Sequence, residues 1–234
     1  MVKDAPAPRA IVFDWDNTLV DSWDAIIVAM NRTLRTMGHA EWEPAEARRR
    51  IARSLRDSFP QLFGERWREA RAAYYAAFEA VHLETLRPLP GVAAMLEGLR
   101  ALGIRLAVVS NKDGRLLRRE AAHLGWNDLF DRLVGANDAE ADKPAAAPVR
   151  LALDGSGIAA GDAVWLVGDA GVDMECAYNA GCVPVLLRPE EPAPGEFAHW
   201  PPHRHVRDGH ALFALARGFF DPISTESRHG PVSA

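Results

Sequence analysis

Polar side chains that could do chemistry recur in the sequence where apolar runs end. Two carboxylates, Asp14 and Asp16, stand two residues apart at the end of the first run. The other candidates follow later runs or lie in the loop between two of them: Ser110, Asn111, Lys143, Asp169 and Asp173. Ligands bind at the carboxyl ends of parallel strands, so one fold could gather these groups at a single edge. Carboxylates, a hydroxyl and a lysine gathered there could handle a small anionic molecule. Taken alone, the first pair is also compatible with a solvated turn.

The apolar runs themselves predict the strands that would position these groups. Each run has strand length, is rich in Val, Leu or Ile and does not alternate, which is typical of parallel strands buried on both faces. Helix-like stretches with Gly or Pro at their ends separate the runs and predict an α/β fold with an open, Rossmann-like parallel sheet and right-handed crossovers. The predicted strands are 10–13, 104–109, 132–134, 163–167 and 183–187, with an edge strand at 204–206, and the predicted helices are 92–102, 112–124 and 172–180.

Residues 22–87 break this alternation because they contain no strand-like run. Helical patterns cover 24–37, 44–55 and 65–86 instead, and the last has a clear 3.6-residue period. We therefore predict a helical cap domain over 22–87, inserted into a catalytic core made of 1–21 and 88–220. Residues 221–234 are polar and lack a period, which predicts a disordered tail.

Composition narrows the class of protein. The chain has 234 residues, of which 48% are hydrophobic and 25% charged, as in globular proteins. A net charge of −5 lacks the broad positive field of a nonspecific nucleic-acid binder. No apolar run approaches the roughly 20 residues of a membrane span, and two cysteines do not make a disulfide framework. We expect a cytoplasmic protein, monomeric or homodimeric, without a nucleic-acid or membrane partner.

Four motifs resemble the haloacid dehalogenase superfamily in order and spacing. They are Asp14-Trp15-Asp16-Asn17-Thr18, Ser110-Asn111, Lys143-Pro144, and Gly168-Asp169 followed by Asp173. Over roughly residues 9–210 the chain is most similar to the phosphoglycolate phosphatase-like branch, whose helical (C1) cap follows the first strand. The resemblance implies a phosphoric monoester hydrolase with a Rossmann-like core.

The resemblance also implies roles for the carboxylates and the lysine. Asp14 would attack phosphorus and form an aspartyl phosphate, while Asp16 would protonate the leaving oxygen and then deprotonate the attacking water. Lys143 would place a positive charge beside the nucleophile. Mg²⁺ would be held by the side chains of Asp14 and Asp169 and by the backbone carbonyl of Asp16. Asp173 would bind or orient a metal-bound water, or pair with Lys143.

Substrate recognition is implied for four further residues. Ser110 and Asn111 would donate to a phosphate oxygen, and Thr18 would steady the phosphate-binding loop with a hydrogen bond. Arg56 falls where related caps present a specificity loop, so we expect it to contact substrate; the alternative is an arginine in solvent or in a local ion pair.

The leading functional hypothesis is a Mg²⁺-dependent phosphatase for a small phosphorylated metabolite similar to phosphoglycolate. Asp16 favours phosphate esters, because dehalogenases and phosphonate hydrolases of the superfamily lack an acid/base Asp at this position. A sugar phosphomutase and a nucleotidase on the same scaffold remain alternatives. A noncatalytic interaction protein is a remote one, because every motif residue is present.

Overall fold

The structure is a computed structural model that describes residues 6–51 and 55–220, without the side chains of residues 55–57. In the described part, six strands form one parallel sheet in the order β5-β4-β1-β6-β7-β8, and β2 pairs with β3 in a separate antiparallel ribbon. The strands are β1 Ala10–Phe13, β2 Val20–Asp21, β3 Arg87–Pro88, β4 Arg105–Asp113, β5 Arg132–Ala136, β6 Val164–Gly168, β7 Val183–Leu187 and β8 Arg204–Val206.

Burial on both faces explains why the core strands are apolar throughout. In β1, Ile11 and Phe13 belong to the core layer on one face of the sheet, and Ala10 and Val12 to the layer on the other. All four are at most 2% exposed, so no position of the strand can be polar. The predicted parallel Rossmann-like sheet is confirmed, and β1, β7 and β8 keep the predicted bounds.

Helices cover both faces of the sheet and fill the interval between β2 and β3. They are α1 Trp23–Thr36, α2 Pro44–Arg50, α3 Leu55–Phe63, α4 Trp67–Glu79, α5 His82–Thr85, α6 Val92–Ala101, α7 Gly114–His123, α8 Ala147–Leu153, α9 Gly171–Ala180 and α10 Gly209–Arg217. None of these described helices has both the length and the apolar character needed to cross a membrane.

Three predicted helices differ from the observed ones. The helix predicted over 112–124 begins only at Gly114, because β4 continues through Asp113, whose side chain caps the helix by accepting from the Arg115 N–H. The helix predicted over 44–55 ends at Arg50, and the one predicted over 65–86 is interrupted between Glu79 and His82. In both cases periodicity continues across a point where the backbone leaves the helix.

The helical insert, residues 22–87, has an apolar centre of its own. Helices α1 and α4 make the main contact within the insert. Aromatic rings pack edge to face inside it: the ring centroid of Phe59 lies 5.0 Å from that of Phe63 and 5.8 Å from that of Tyr74. Leu116, on α7 of the sheet layer, belongs to the same cluster and joins the insert to the core. The ribbon of β2 and β3 carries the chain out and back. The division into catalytic core and cap domain stays a prediction, and the predicted tail, 221–234, lies outside the described residues.

The contact between β5 and α7 leads to a prediction about stability. A Cβ atom at Gly135 would overlap the backbone of Gly114, which cannot rotate away as a side chain can. We expect Gly135→Ala to lower the free energy of unfolding by about 1–3 kcal/mol, the usual cost of overpacking. Gly161→Ala is the matched control, because a Cβ there meets no atom within 4 Å. Urea unfolding of both variants measures the difference, and equal stability would show that the two backbones can separate without cost.

Candidate active site

The carboxyl ends of three adjacent strands border a cavity of about 160 Å³. Asp14 and Asp16 follow β1, Ser110 and Asn111 lie in β4, and Asp169 follows β6. Because β1 lies between β4 and β6, the central strand brings its two carboxylates into the middle of this edge. The structure therefore gathers residues that are up to 159 positions apart in the chain at one cavity. The core side of this cavity is lined by Asp14, Asp16, Asn17, Ser110, Asn111, Lys112, Asp113, Leu116, Lys143, Asp169, Ala170, Val172 and Asp173.

Lys143 is the buried cation at the centre of the site. Its Nζ lies 2.6 Å from Asp14 Oδ1 and 2.7 Å from Asp173 Oδ1, and the residue is 3% exposed. Burial alone would lower the pKa of Lys143, but the charges of Asp14 and Asp173 and their hydrogen bonds outweigh it and raise the pKa above its usual value. The ammonium is therefore charged at any ordinary pH. Of the roles expected for Asp173, the structure shows the pairing with Lys143.

The carboxylates outnumber the cation they share. Oxygen atoms of Asp14, Asp169 and Asp173 lie within 4.8 Å of one another. Burial raises the pKa of Asp14 to about 6; Lys143 opposes the shift and the charge of Asp173 adds to it. Burial, and then the charges of Asp173 and Asp14, raise the pKa of Asp169 well above its usual value. A cluster of hard oxygen ligands with uncompensated negative charge fits a divalent cation such as Mg²⁺.

A tight turn after β1 fixes the first two carboxylates. Asn17 adopts a left-handed backbone with φ of 61°, a conformation that Asn tolerates better than most residues. Its N–H donates to the Val20 carbonyl at 2.7 Å, and the Trp15 carbonyl accepts from the Leu19 N–H at 2.9 Å. Asp14 and Asp16 are thus held on a closed backbone loop rather than on a solvated turn.

Close packing at the end of β6 positions Asp173. A Cβ atom at Gly168 would collide with the Asp173 side chain, so only glycine lets this carboxylate approach the strand. Asp173 Oδ2 accepts from the Ala170 N–H at 3.1 Å, which leaves Oδ1 to Lys143. The glycine of the fourth motif is therefore needed for the geometry of the charge cluster.

The residues expected to bind phosphate or to steady the phosphate-binding loop have protein partners here. The Asn111 amide accepts from the Lys143 N–H at 2.9 Å and donates to the Lys143 carbonyl at 3.1 Å, so it holds the loop that carries the lysine. Thr18 is completely buried, does not line the cavity and donates to Asp169 Oδ1 at 3.3 Å. Thr18 was expected to donate a hydrogen bond that steadies the loop, and in this structure its hydroxyl donates to the Asp169 carboxylate. Ser110 lines the cavity and is 5% exposed.

Pro144, in the third motif, does not begin a helix, although proline is common at the first helical position. The Lys143–Pro144 peptide bond is cis, and α8 begins three residues later, at Ala147. A different proline, Pro148, lies in the first turn of α8.

Sequence reasoning missed a second set of buried charges beside the cavity. Lys112 Nζ lies 2.7 Å from Asp16 Oδ1 and 2.6 Å from Glu120 Oε2. Burial would lower the pKa of Lys112, but the two carboxylates outweigh it and raise the pKa. Glu120 also contacts His82 and Trp15. The one signal in the sequence was the position of Lys112 directly after Ser110 and Asn111.

The side of the cavity formed by the insert is mainly apolar and aromatic. It is lined by Trp23, Ile26, Ile51, Tyr74, Tyr75 and Phe78, and among the side chains that the structure describes there it includes no Arg or Lys. Arg56, the expected specificity residue, has a side chain outside the described part of the structure.

Three comparisons relate this geometry to known proteins. A family profile for haloacid dehalogenase-like hydrolases matches residues 11–186. A phosphoglycolate phosphatase from Aquifex aeolicus is 32% identical over 177 residues, covering 74% of this chain and 81% of that protein. A pyrophosphatase from Halalkalibacterium halodurans is 29% identical over 173 residues, covering 74% of this chain and 80% of its own.

Solved structures agree at the level of the fold. A haloacid dehalogenase-like hydrolase from Streptococcus pneumoniae superposes with a TM-score of 0.79 at 23% identity, covering 89% of this chain and 98% of that one. The profile match begins within the strand that precedes Asp14 and ends within the strand that follows Asp173, so it covers the whole charge cluster. On this evidence the chain belongs to the haloacid dehalogenase-like hydrolases.

Proposed function

We propose that the protein is a Mg²⁺-dependent phosphatase that hydrolyses a small phosphorylated metabolite through an aspartyl phosphate, an acyl phosphate formed on Asp14. The observation that carries this proposal is the buried cluster in which Lys143 joins Asp14 to Asp173, with Asp169 alongside. A fixed ammonium beside a carboxylate nucleophile suits phosphoryl transfer, where catalysis is mostly positioning and neutralisation of charge.

The metal would be held by the side chains of Asp14 and Asp169 and by the backbone carbonyl of Asp16. Bound Mg²⁺ supplies a Lewis acid that offsets the repulsion between a carboxylate and a phosphate dianion. Asp173 would act through Lys143, to which it is bonded at 2.7 Å, and could orient a water on the metal.

The chain's own groups then account for both halves of the reaction. An oxygen of Asp14 forms a bond to phosphorus while the bond to the leaving oxygen breaks, and Asp16 gives that oxygen its proton. In the second half, water attacks the phosphoenzyme, gives a proton to Asp16 and releases Asp14 and inorganic phosphate. Lys143 and the Ser110 hydroxyl stabilise the charge on the phosphoryl oxygens.

Phosphoglycolate is the leading substrate, because phosphoglycolate phosphatases are among the relatives that exceed 30% identity. Pyrophosphate is a second candidate, since other relatives are named pyrophosphatases. Arg56 is proposed to bind the substrate carboxylate. The reason is its place in the sequence, because Ile51 lines the cavity and Arg56 lies five residues further along the chain. Action in the cytoplasm as a monomer or homodimer stays a prediction.

A panel of phosphate compounds tests the proposed activity and the nucleophile together. We expect phosphate release from phosphoglycolate or pyrophosphate by the native protein, and no measurable turnover by Asp14→Asn, because an amide cannot attack phosphorus. Asp162→Asn, an exposed acid at a distance from the cavity, is the matched control. Phosphate release is measured colorimetrically and phosphoenzyme by acid trapping.

The same panel separates the alternatives. Preference for nucleotides would indicate a nucleotidase, and isomerisation of a sugar phosphate without phosphate release would indicate a mutase. Substantial turnover by pure, folded Asp14→Asn would contradict the assignment of the nucleophile.

Metal removal leads to a prediction about stability as a function of pH. Asp14 and Asp169 have raised pKa values in the folded protein, so the metal-free native state keeps protons that the unfolded chain has already lost. Its stability should therefore fall as the pH rises from about 4 through 6. The shift of Asp14 from 3.8 to about 6 corresponds to a cost on the order of 3 kcal/mol above pH 6.

Urea unfolding in EDTA, at pH values between 4.5 and 7.5, measures this effect. We expect Asp169→Asn to be more stable than the native protein, with a difference that grows with pH, and Asp162→Asn to show no such trend. Added Mg²⁺ should stabilise the native protein at pH 7.5 and not Asp169→Asn, and EDTA should stop phosphate release. A stability difference that does not change with pH, or full activity after removal of bound metal, would contradict the charge cluster as a metal site.

Arg56 is tested by its effect on substrates with and without a carboxylate. We expect Arg56→Ala to lower kcat/KM for phosphoglycolate by about 10-fold or more, since a hydrogen bond to a charged group contributes about 1.5–3 kcal/mol. Activity on p-nitrophenyl phosphate should change little. Arg49→Ala, an exposed arginine of the same insert, is the control. An equal loss of kcat/KM on both substrates would indicate a role of Arg56 in the structure of the insert. An unchanged kcat/KM on both would indicate that Arg56 does not contact the substrate.

A further inference from the structure

Glu120 is a fully buried carboxylate with three polar partners. Trp15 Nε1 donates to Oε2 at 2.7 Å, Lys112 Nζ donates to the same oxygen at 2.6 Å, and His82 Nδ1 lies 2.7 Å from Oε1. Its exposed fraction is 0%. Burial would raise the pKa of Glu120, but the charge of Lys112 and the three hydrogen bonds outweigh it and lower the pKa. A buried charge with this many partners is a rigid anchor.

Lys112 connects this anchor to the cavity. Its Nζ lies between Glu120 Oε2, at 2.6 Å, and Asp16 Oδ1, at 2.7 Å, and its side chain is only 5% exposed. The ring of Phe78 covers the ammonium, with its centroid 4.9 Å away. A lysine in solvent samples many rotamers, whereas this one is held at its charged end by two carboxylates and an aromatic ring.

We propose that Lys112 is a positioning residue for Asp16, and that Glu120 holds Lys112 in place for this task. The inference rests on the proposed function, in which Asp16 exchanges a proton with the leaving oxygen and with water. Asp16 is itself 20% exposed on the loop after β1, so its carboxylate needs a fixed partner to keep one orientation. Lys112 pairs with Oδ1 of Asp16, so Oδ2 of Asp16 remains available to exchange the proton. Holding a catalytic group in its productive geometry speeds the reaction by avoiding the loss of rotational freedom at each turnover.

The helical insert contributes to the same arrangement. Phe78 lies on α4 and His82 on α5, and their rings stack with centroids 5.0 Å apart. Phe78 contacts the ammonium of Lys112, and His82 contacts the carboxylate of Glu120. The orientation of Asp16 is therefore linked to the packing of these two helices against the core.

Leaving-group dependence distinguishes positioning of Asp16 from a merely structural ion pair. The two substrates are phenyl phosphate and p-nitrophenyl phosphate. Phenolate is a poor leaving group that needs protonation by an acid, whereas p-nitrophenolate is a good leaving group that does not. We expect Lys112→Met to slow phosphoenzyme formation from phenyl phosphate by about 10-fold or more, but by no more than the roughly 10²–10⁴-fold that acid/base catalysis contributes. The rate with p-nitrophenyl phosphate should fall by less than about 3-fold. Glu120→Gln should show the same pattern more weakly.

A double-mutant cycle adds a second readout. In the Asp16→Asn background, Lys112→Met should change the rate by less than about 2-fold, because residues that act as a unit are not additive. Arg119→Met removes a cation next to Glu120 in the sequence; Arg119 is 46% exposed and should leave both rates unchanged. Circular dichroism and Tm establish that each variant is folded. If Lys112→Met does not fold, Lys112→Gln, which keeps a polar end, takes its place.

Each result decides between the proposals. Equal losses with both esters, additive effects in the cycle, or failure of both Lys112 variants to fold would overturn the positioning role in favour of a structural one. Native protein that releases no phosphate from any compound would instead overturn the proposed function, and the positioning role with it.

Discussion

The arrangement of the active site depends on keeping several carboxylates together at one buried edge. Asp14, Asp169 and Asp173 repel one another, and burial strengthens the repulsion because less solvent screens it. The molecule opposes this with one lysine that contacts two of the three. In the proposed function a metal ion balances the rest of the charge, so the excess negative charge that destabilises the metal-free site would also provide its affinity for the metal.

Rigid backbone is what makes such a cluster possible. The central strand β1 is buried on both faces and carries Asp14 directly at its end, while Gly168 lets Asp173 approach β6. Asn111 fixes the backbone of Lys143 through two hydrogen bonds. Because each charged group is held by a sheet or by a hydrogen-bonded loop, the carboxylates cannot move apart to relieve their repulsion, and the geometry remains prepared for a ligand.

Sequence patterns predicted the sheet well because burial on both faces leaves a local signature. Apolar runs rich in Val, Leu or Ile mark five of the six described strands of the parallel sheet, all except the edge strand β8, and motif spacing predicted which side chains would meet at its edge. Helix ends were predicted less well: the apolar periodicity of 65–86 passes through the break after Glu79 unchanged. The strand over Lys112 and Asp113 was missed because polar residues in a buried strand resemble the start of a helix.

The buried network around Glu120 could not be predicted for a different reason. Its partners Trp15 and His82 lie 105 and 38 residues away, and nothing local to any of the three marks the contact. In the sequence, a glutamate that lies among the arginines of α7 would be predicted to lie on a solvent-exposed face of the helix. Only the folded chain shows that this position points inward, where its charge requires partners.

The two carboxylates after β1 show how neighbouring residues of one type can serve different purposes. Asp14 is paired with Lys143, and Asp16 with Lys112, so each has its own ammonium at 2.6 and 2.7 Å. The two lysines are held by different anchors, Asp173 on α9 and Glu120 on α7. Separate anchors allow the two carboxylates to be oriented independently, as the proposed roles of Asp14 as nucleophile and Asp16 in proton transfer require.

The helical insert contributes an apolar wall on the side of the cavity opposite the charged residues. Aromatic and aliphatic side chains opposite the charge cluster exclude water, which strengthens every electrostatic interaction inside the cavity. Among its described side chains, this wall offers no Arg or Lys that could pair with a charged leaving group. In the proposed function, residues at the border of the cavity would then contribute to discrimination between phosphorylated metabolites. Ile51 marks that border, and the chain that follows it contains Arg53 and Arg56.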